Sequence, residues 1–163
     1  MPQVLTKRSN AVTAGLLLLA LGSSGCYSSN NWQERTYPVT GTVTINGEKA
    51  ENAFVVLYSS EGKVDVRGSQ PWAIVEADGT FRMTTYERGD GAPVGTYDLT
   101  LYWPKSPMGD RTDRLKGAYS SPDKAVMSVT VVRGTNELPP IELENIPVLP
   151  PAVGPSGNPL DVN

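Results

Sequence analysis

The chain reads as all-β, an antiparallel two-sheet sandwich of about seven strands. Three observations predict this. β-Branched and aromatic residues alternate with polar ones in several short runs, and tight-turn residues separate those runs. No window between Tyr37 and Leu143 sustains the i, i+3, i+4, i+7 apolar spacing of a helix.

The strands follow in order. Val39, Gly41, Val43 and Ile45 alternate with Thr40, Thr42 and Thr44, the period of a half-buried strand. Asn46-Gly47 then signals a two-residue hairpin turn, because both central residues of that turn need positive φ. Residues 53–58 are almost continuously apolar, which predicts a central strand covered on both faces. Residues 72–76 form another short strand. Asp78-Gly79 makes the next turn, and Phe81 and Met83 alternate with Thr80, Arg82 and Thr84 beyond it. Tyr97, Leu99 and Leu101 mark one face of the following strand, with Asp98 and Thr100 on the other. Residues 126–132 form a further strand, closed by a turn at Gly134-Thr135-Asn136. Ile141 and Leu143 follow Pro139-Pro140, and a strand beside prolines belongs at a sheet edge.

The first residues carry an address. Lys7 and Arg8 precede an apolar stretch over residues 11–21, then Ser23-Ser24-Gly25 and Cys26, the single cysteine among 163 residues. A secretory signal has this form, and the apolar run is shorter than the roughly 20 residues that a spanning helix needs. Small residues before one cysteine resemble the bacterial lipobox, although Ser23 stands where that motif usually has Leu. The resemblance implies acylation of Cys26 by a diacylglyceryl group and an amide-linked chain such as palmitate. Two or more acyl chains anchor a protein durably. Tyr27 after the cysteine is not the Asp that retains such proteins at the inner membrane, so the outer membrane is favoured as the destination of this exported chain.

The expected organisation is a signal peptide over residues 1–25, a flexible polar tether over 26–36, the sandwich over 37–143 and a Pro-rich disordered tail over 144–163. Cleavage removes 25 of the 163 residues and leaves 138, enough for one core. It also removes two of the 14 basic residues and none of the 17 acidic ones, so the remaining formal charge is −5. Such a chain has no electrostatic reason to bind nucleic acid. Two connections, residues 59–71 and 104–123, exceed ordinary loop lengths. Loops of about 12–15 residues or more usually carry contacts or are disordered. The charged residues of 104–123 predict a solvated, salt-bridged excursion.

The V-x-G-x-V of Val39, Gly41 and Val43, followed by a short turn and later by Asp78-Gly79-Thr80-Phe81 as D-G-x-F, resembles carboxypeptidase regulatory-like domains. These are transthyretin-like, Greek-key sandwiches. GDGAPVGTY at residues 89–97, LKGAYSSP at 115–122 and ELPPIEL at 137–143 are similar to small lipoproteins of planctomycete-type bacteria. The resemblance covers residues 37–143. It implies a fold and a location, since most of that group have no assigned activity.

Catalysis is argued against by composition. There is no histidine, so histidine-based triads and Cys-His pairs are excluded, as is the common histidine or thiolate zinc site. Related sandwiches that are hydrolases or iron dioxygenases use histidines this chain lacks. Arg88-Gly89-Asp90 spells an adhesion tripeptide but reads as a turn. Asp78, Asp110 and Asp113 fall short of the converging oxygens that calcium needs. The expectation is a non-catalytic domain with no cofactor and no metal. Its partners would be the membrane, through lipid on Cys26, and an envelope protein or polysaccharide. Trp72, Trp103 and Tyr119 are the candidate ligand-binding residues, placed at strand ends or in a loop where aromatic rings stack against sugars or peptides.

Overall fold

The computed structural model describes Met1 and residues 32–153. Residues 2–31, on which the expected signal peptide and Cys26 fall, and residues 154–163 lie outside the described residues. Among the described residues, eleven strands and one 3-10 turn (Pro122–Lys124) build two packed sheets and a small ribbon. The ribbon pairs β1 (Thr36–Tyr37) with β7 (Ala92–Pro93). The first sheet is centred on β2 (Val39–Ile45), with β3 (Glu48–Lys49) and β6 (Thr80–Arg82) antiparallel to it. The second runs β5 (Trp72–Ile74), β4 (Phe54–Ser59), β8 (Gly95–Tyr102), β9 (Met127–Val131), antiparallel throughout.

One departure from antiparallel pairing is clear. β10 (Asn136–Glu137) and β11 (Ile141–Leu143) lie parallel to β2. β9 finishes at the end of the domain where β2 begins, and the turn through Gly134 starts the next strand from that same end. The chain then has to run alongside β2. Pro139 and Pro140 supply no N–H, so the ladder breaks between β10 and β11, and β11 lies at the sheet edge as its prolines predict.

The inward positions interlock as the core. Val39, Val43 and Ile45 of β2 meet Val55 and Leu57 of β4, Leu99 and Leu101 of β8, and Val129 and Val131 of β9, all buried. Each such side chain contributes about 1.5–3 kcal/mol on leaving water. Gly41 and Phe81 are register partners across β2 and β6, so the glycine of V-x-G-x-V and the phenylalanine of D-G-x-F face one another. Asn46 and Gly47 have φ of 52° and 77°, the turn geometry their sequence predicts.

Three expectations are revised. β4 is central, but only its inner face is buried. Phe54, Val56 and Tyr58 on the outer face are half-covered, because the 104–123 loop folds over only part of it. That loop is solvated and ion-paired only at its tip, where residues 108–112 are exposed and Lys105 lies 3.7 Å from Asp110; its remainder is partly packed against the domain. Arg114 and Leu115 are buried, and Asp113 accepts N–H groups from Trp103, Leu115 and Gly117 at 2.8–3.0 Å. Residues 144–152 are extended and docked. Asn46 exchanges two side-chain bonds with the Ile146 backbone, at 2.8 and 3.0 Å, and Leu149 and Ala152 donate to Arg114 and Lys105 carbonyls.

Candidate functional site

The three candidate aromatics do not form one platform. Trp103 is 2% exposed and belongs to the core. Its indole N–H donates to the Glu51 carbonyl at 2.9 Å, and the Arg114 guanidinium covers its ring at 3.6 Å. Its strand-end position predicts an open ring, but the loop that follows folds back over it. Tyr119 is half-buried against the core, its carbonyl receiving the Leu101 N–H. Trp72 alone is open, 41% exposed.

Around Trp72 the structure builds a groove of about 1140 Å³. β5 alternates Trp72 out, Ala73 in, Ile74 out, so two large apolar side chains face solvent two residues apart. Trp72 and Thr84 exchange backbone hydrogen bonds of 2.9 and 2.8 Å. This bridge joins the edge of the second sheet to the chain leaving β6 and makes the outer surface continuous from β5 across β6 and β2 to β10. The floor comprises Thr40, Thr42 and Thr80, and Arg82, Arg88, Glu76 and Glu137 provide charge of both signs. A smaller cleft of about 280 Å³ lies on the outer face of the second sheet, between Phe54, Tyr58, Tyr102 and Arg111.

A second cluster holds the N-terminal segment. The Trp32 ring meets Tyr86 edge-on at 5.4 Å between centroids, and the Arg67 guanidinium stacks over it at 3.7 Å. The Tyr86 hydroxyl donates to Asp65 at 2.9 Å and accepts the Glu34 N–H at 3.1 Å. Asp65 also accepts N–H bonds from Arg67 and Ser69. Burial works to raise its pKa, but the bonds from Ser69, Tyr86 and Arg67 outweigh it and hold the group at about 2. Burial and the Asp65 carboxylate push Tyr86 up to about 12, against the opposing Glu34 N–H. The stretch expected to be a flexible tether is therefore docked from Trp32 onward. A tryptophan inside an otherwise polar stretch was the sequence signal for this.

The Arg88-Gly89-Asp90 loop is a structural turn. Asp90 accepts the Thr85 and Tyr86 N–H groups at 2.7 and 3.0 Å, and Gly89 has φ of 73°. Asp78 likewise caps its own hairpin through the Thr80 N–H and hydroxyl. Among the described residues no three acidic, cysteine or histidine side chains converge on a point.

Compared with known proteins, the chain matches no family model and no curated protein.

Proposed function

We propose that this chain is an exported, lipid-anchored envelope protein whose non-catalytic sandwich docks an extended segment of an envelope protein along the Trp72 groove. The sequence supports the anchor through the basic start, the apolar run and Cys26. The ordered V-x-G-x-V and D-G-x-F stretches support kinship with carboxypeptidase regulatory-like domains. The absence of histidine supports a binding role over a catalytic one.

The observation that carries the docking reading is the outward pair Trp72 and Ile74 on β5, open beside charges of both signs. Exposed tryptophans flanked by polar groups anchor interfaces, and an extended peptide presents alternate side chains at the same two-residue spacing. A photo-crosslinking residue at Ile74 of the full chain, activated on intact envelopes, is expected to capture a discrete protein, with Trp72→Ala abolishing the adduct. Absence of any adduct sinks the reading. The second reading, polysaccharide binding, keeps only Trp72 of its original three aromatics. Retention of the full chain on purified envelope glycan, lost in Trp72→Ala, would favour it instead.

A further inference from the structure

The two ends of the domain differ in what they carry. β2 starts and β4 finishes at one end, which holds Trp32, the 59–71 loop and the Arg88-Gly89-Asp90 turn. β4 starts and β8 finishes at the other, which holds the Asn46-Gly47 turn, the 104–123 loop and the chain after Leu143. Trp32 is fastened to the first end by Arg67, Tyr86 and the Glu34 N–H.

We propose that the domain stands on the lipid surface on this first end, with the 59–71 loop toward the headgroups and the 104–123 loop pointing away. The inference rests on acylation of Cys26. Six residue steps separate Cys26 from Trp32, a leash of at most about 20 Å when fully extended. The seven steps from Gly95 to Tyr102 of β8 alone span about 24 Å. An inverted domain would lift Trp32 farther from the membrane than the leash allows. At the membrane-facing end the 59–71 loop presents Val66, 79% exposed, between Asp65 and Arg67. The leash, rather than charge, brings this loop to the lipid. The surface left free for a protein partner is then the distal end and the flank carrying Trp72.

Because Cys26 is the sole cysteine and acylation blocks its thiol, one introduced cysteine can be labelled specifically. The full acylated chain carrying Val66→Cys or Met108→Cys, each with a fluorophore, is placed in phosphatidylethanolamine–phosphatidylglycerol vesicles bearing a headgroup nitroxide. Met108 is 87% exposed at the far end, so both substitutions leave the core intact. The label at 66 is expected to be quenched several-fold more than the label at 108, and Trp32→Ala should bring the two toward equality. Equal or reversed quenching in the parent overturns the orientation, as does an unchanged ratio after Trp32→Ala. Mass spectrometry of the N-terminal peptide reads acylation separately. An unmodified Cys26 overturns the anchor and the orientation together, whereas equal quenching on an acylated chain overturns the orientation alone.

Discussion

The ring of Phe81 occupies the space a side chain on Gly41 would need: a Cβ on that glycine would stand 2.5 Å from the ring's Cζ. The two residues are register partners across β2 and β6, and Phe81 is buried. A strand glycine weakens a sheet unless something covers it, and the ring does so here. Gly41→Ala is therefore expected to destabilise the fold by about 1–3 kcal/mol through overpacking, despite alanine's better strand entropy. Phe81→Ala should cost about 3–5 kcal/mol. In denaturant titrations the double variant should lose less than the summed singles, since the clash vanishes with the ring. Strict additivity would disprove the contact.

Asn136 predicts a different signature. Its side-chain carbonyl accepts the Val132 N–H at 2.9 Å, while its amide donates to the carbonyls of Val132, Gly134 and Pro38 at 3.0–3.3 Å. This nearly buried group ties the end of β9 to the start of β2. Asn136→Ala should cost about 1–3 kcal/mol by leaving buried partners unmade. Asn136→Asp is nearly isosteric, yet it sets a carboxylate oxygen against three carbonyls. It should be the worse of the two at neutral pH and recover partly on acidification, as the new carboxyl takes up a proton. A pH series of unfolding midpoints that shows no such recovery would refute the assignment of the amide orientation.

Much of this architecture is legible in the sequence for a simple reason. Alternation at Val39, Val43 and Ile45 reports one buried face, and Asn46-Gly47 reports a turn whose φ values few other pairs tolerate. Parallel pairing of β10 and β11 is not legible, because period two is the same in either direction. It depends on which end of the domain β9 reaches. The groove is hidden for a related reason, since its lining comes from residues as distant in the chain as Thr40, Trp72, Arg88 and Glu137. Trp103 misleads because a strand-end tryptophan looks the same whether the next loop turns away or, as here, brings Arg114 back over the ring.

Arg114 is the test of that last point. Its guanidinium lies 3.6 Å from the Trp103 ring centroid, its Nε donates to the Leu149 carbonyl at 2.8 Å, and Glu48 lies 3.6 Å away. A desolvated cation over tryptophan contributes about 2 kcal/mol. The Glu48 contact adds little, because Glu48 is exposed. Arg114→Lys keeps the charge but not the planar stack or the Nε bond, so it should behave closer to Arg114→Ala than to the parent. Hydrogen exchange is the readout. Both variants should lose protection at the Leu149 and Ala152 amides while β4 and β8 stay protected. Retained protection at Leu149 would show that the tail docks without Arg114.

Asp65 links the N-terminal clamp to pH. Its carboxyl is held near 2, below its ordinary value of 3.8. A group whose pKa is depressed in the folded state favours folding above the unfolded value, and that contribution disappears as pH falls through the folded one. The Asp65 contribution should thus be complete above about pH 4 and fade between there and pH 2. Asp78, Asp110 and Asp123 are also lowered, each first by a side-chain hydrogen bond, to Thr80, Thr112 and Ser121 respectively. The parent's acid slope therefore sums several groups, and the difference against Asp65→Asn isolates one. That variant should be less stable than the parent at pH 6 and converge with it toward pH 2. The Trp32 environment provides a local check. With Asp65 neutralised, the Tyr86 hydroxyl is left with a weaker, uncharged acceptor, and the indole packed against it should become more accessible to a soluble quencher. A stability gap that stays constant from pH 6 to pH 2 would mean that the carboxylate charge does not hold the clamp.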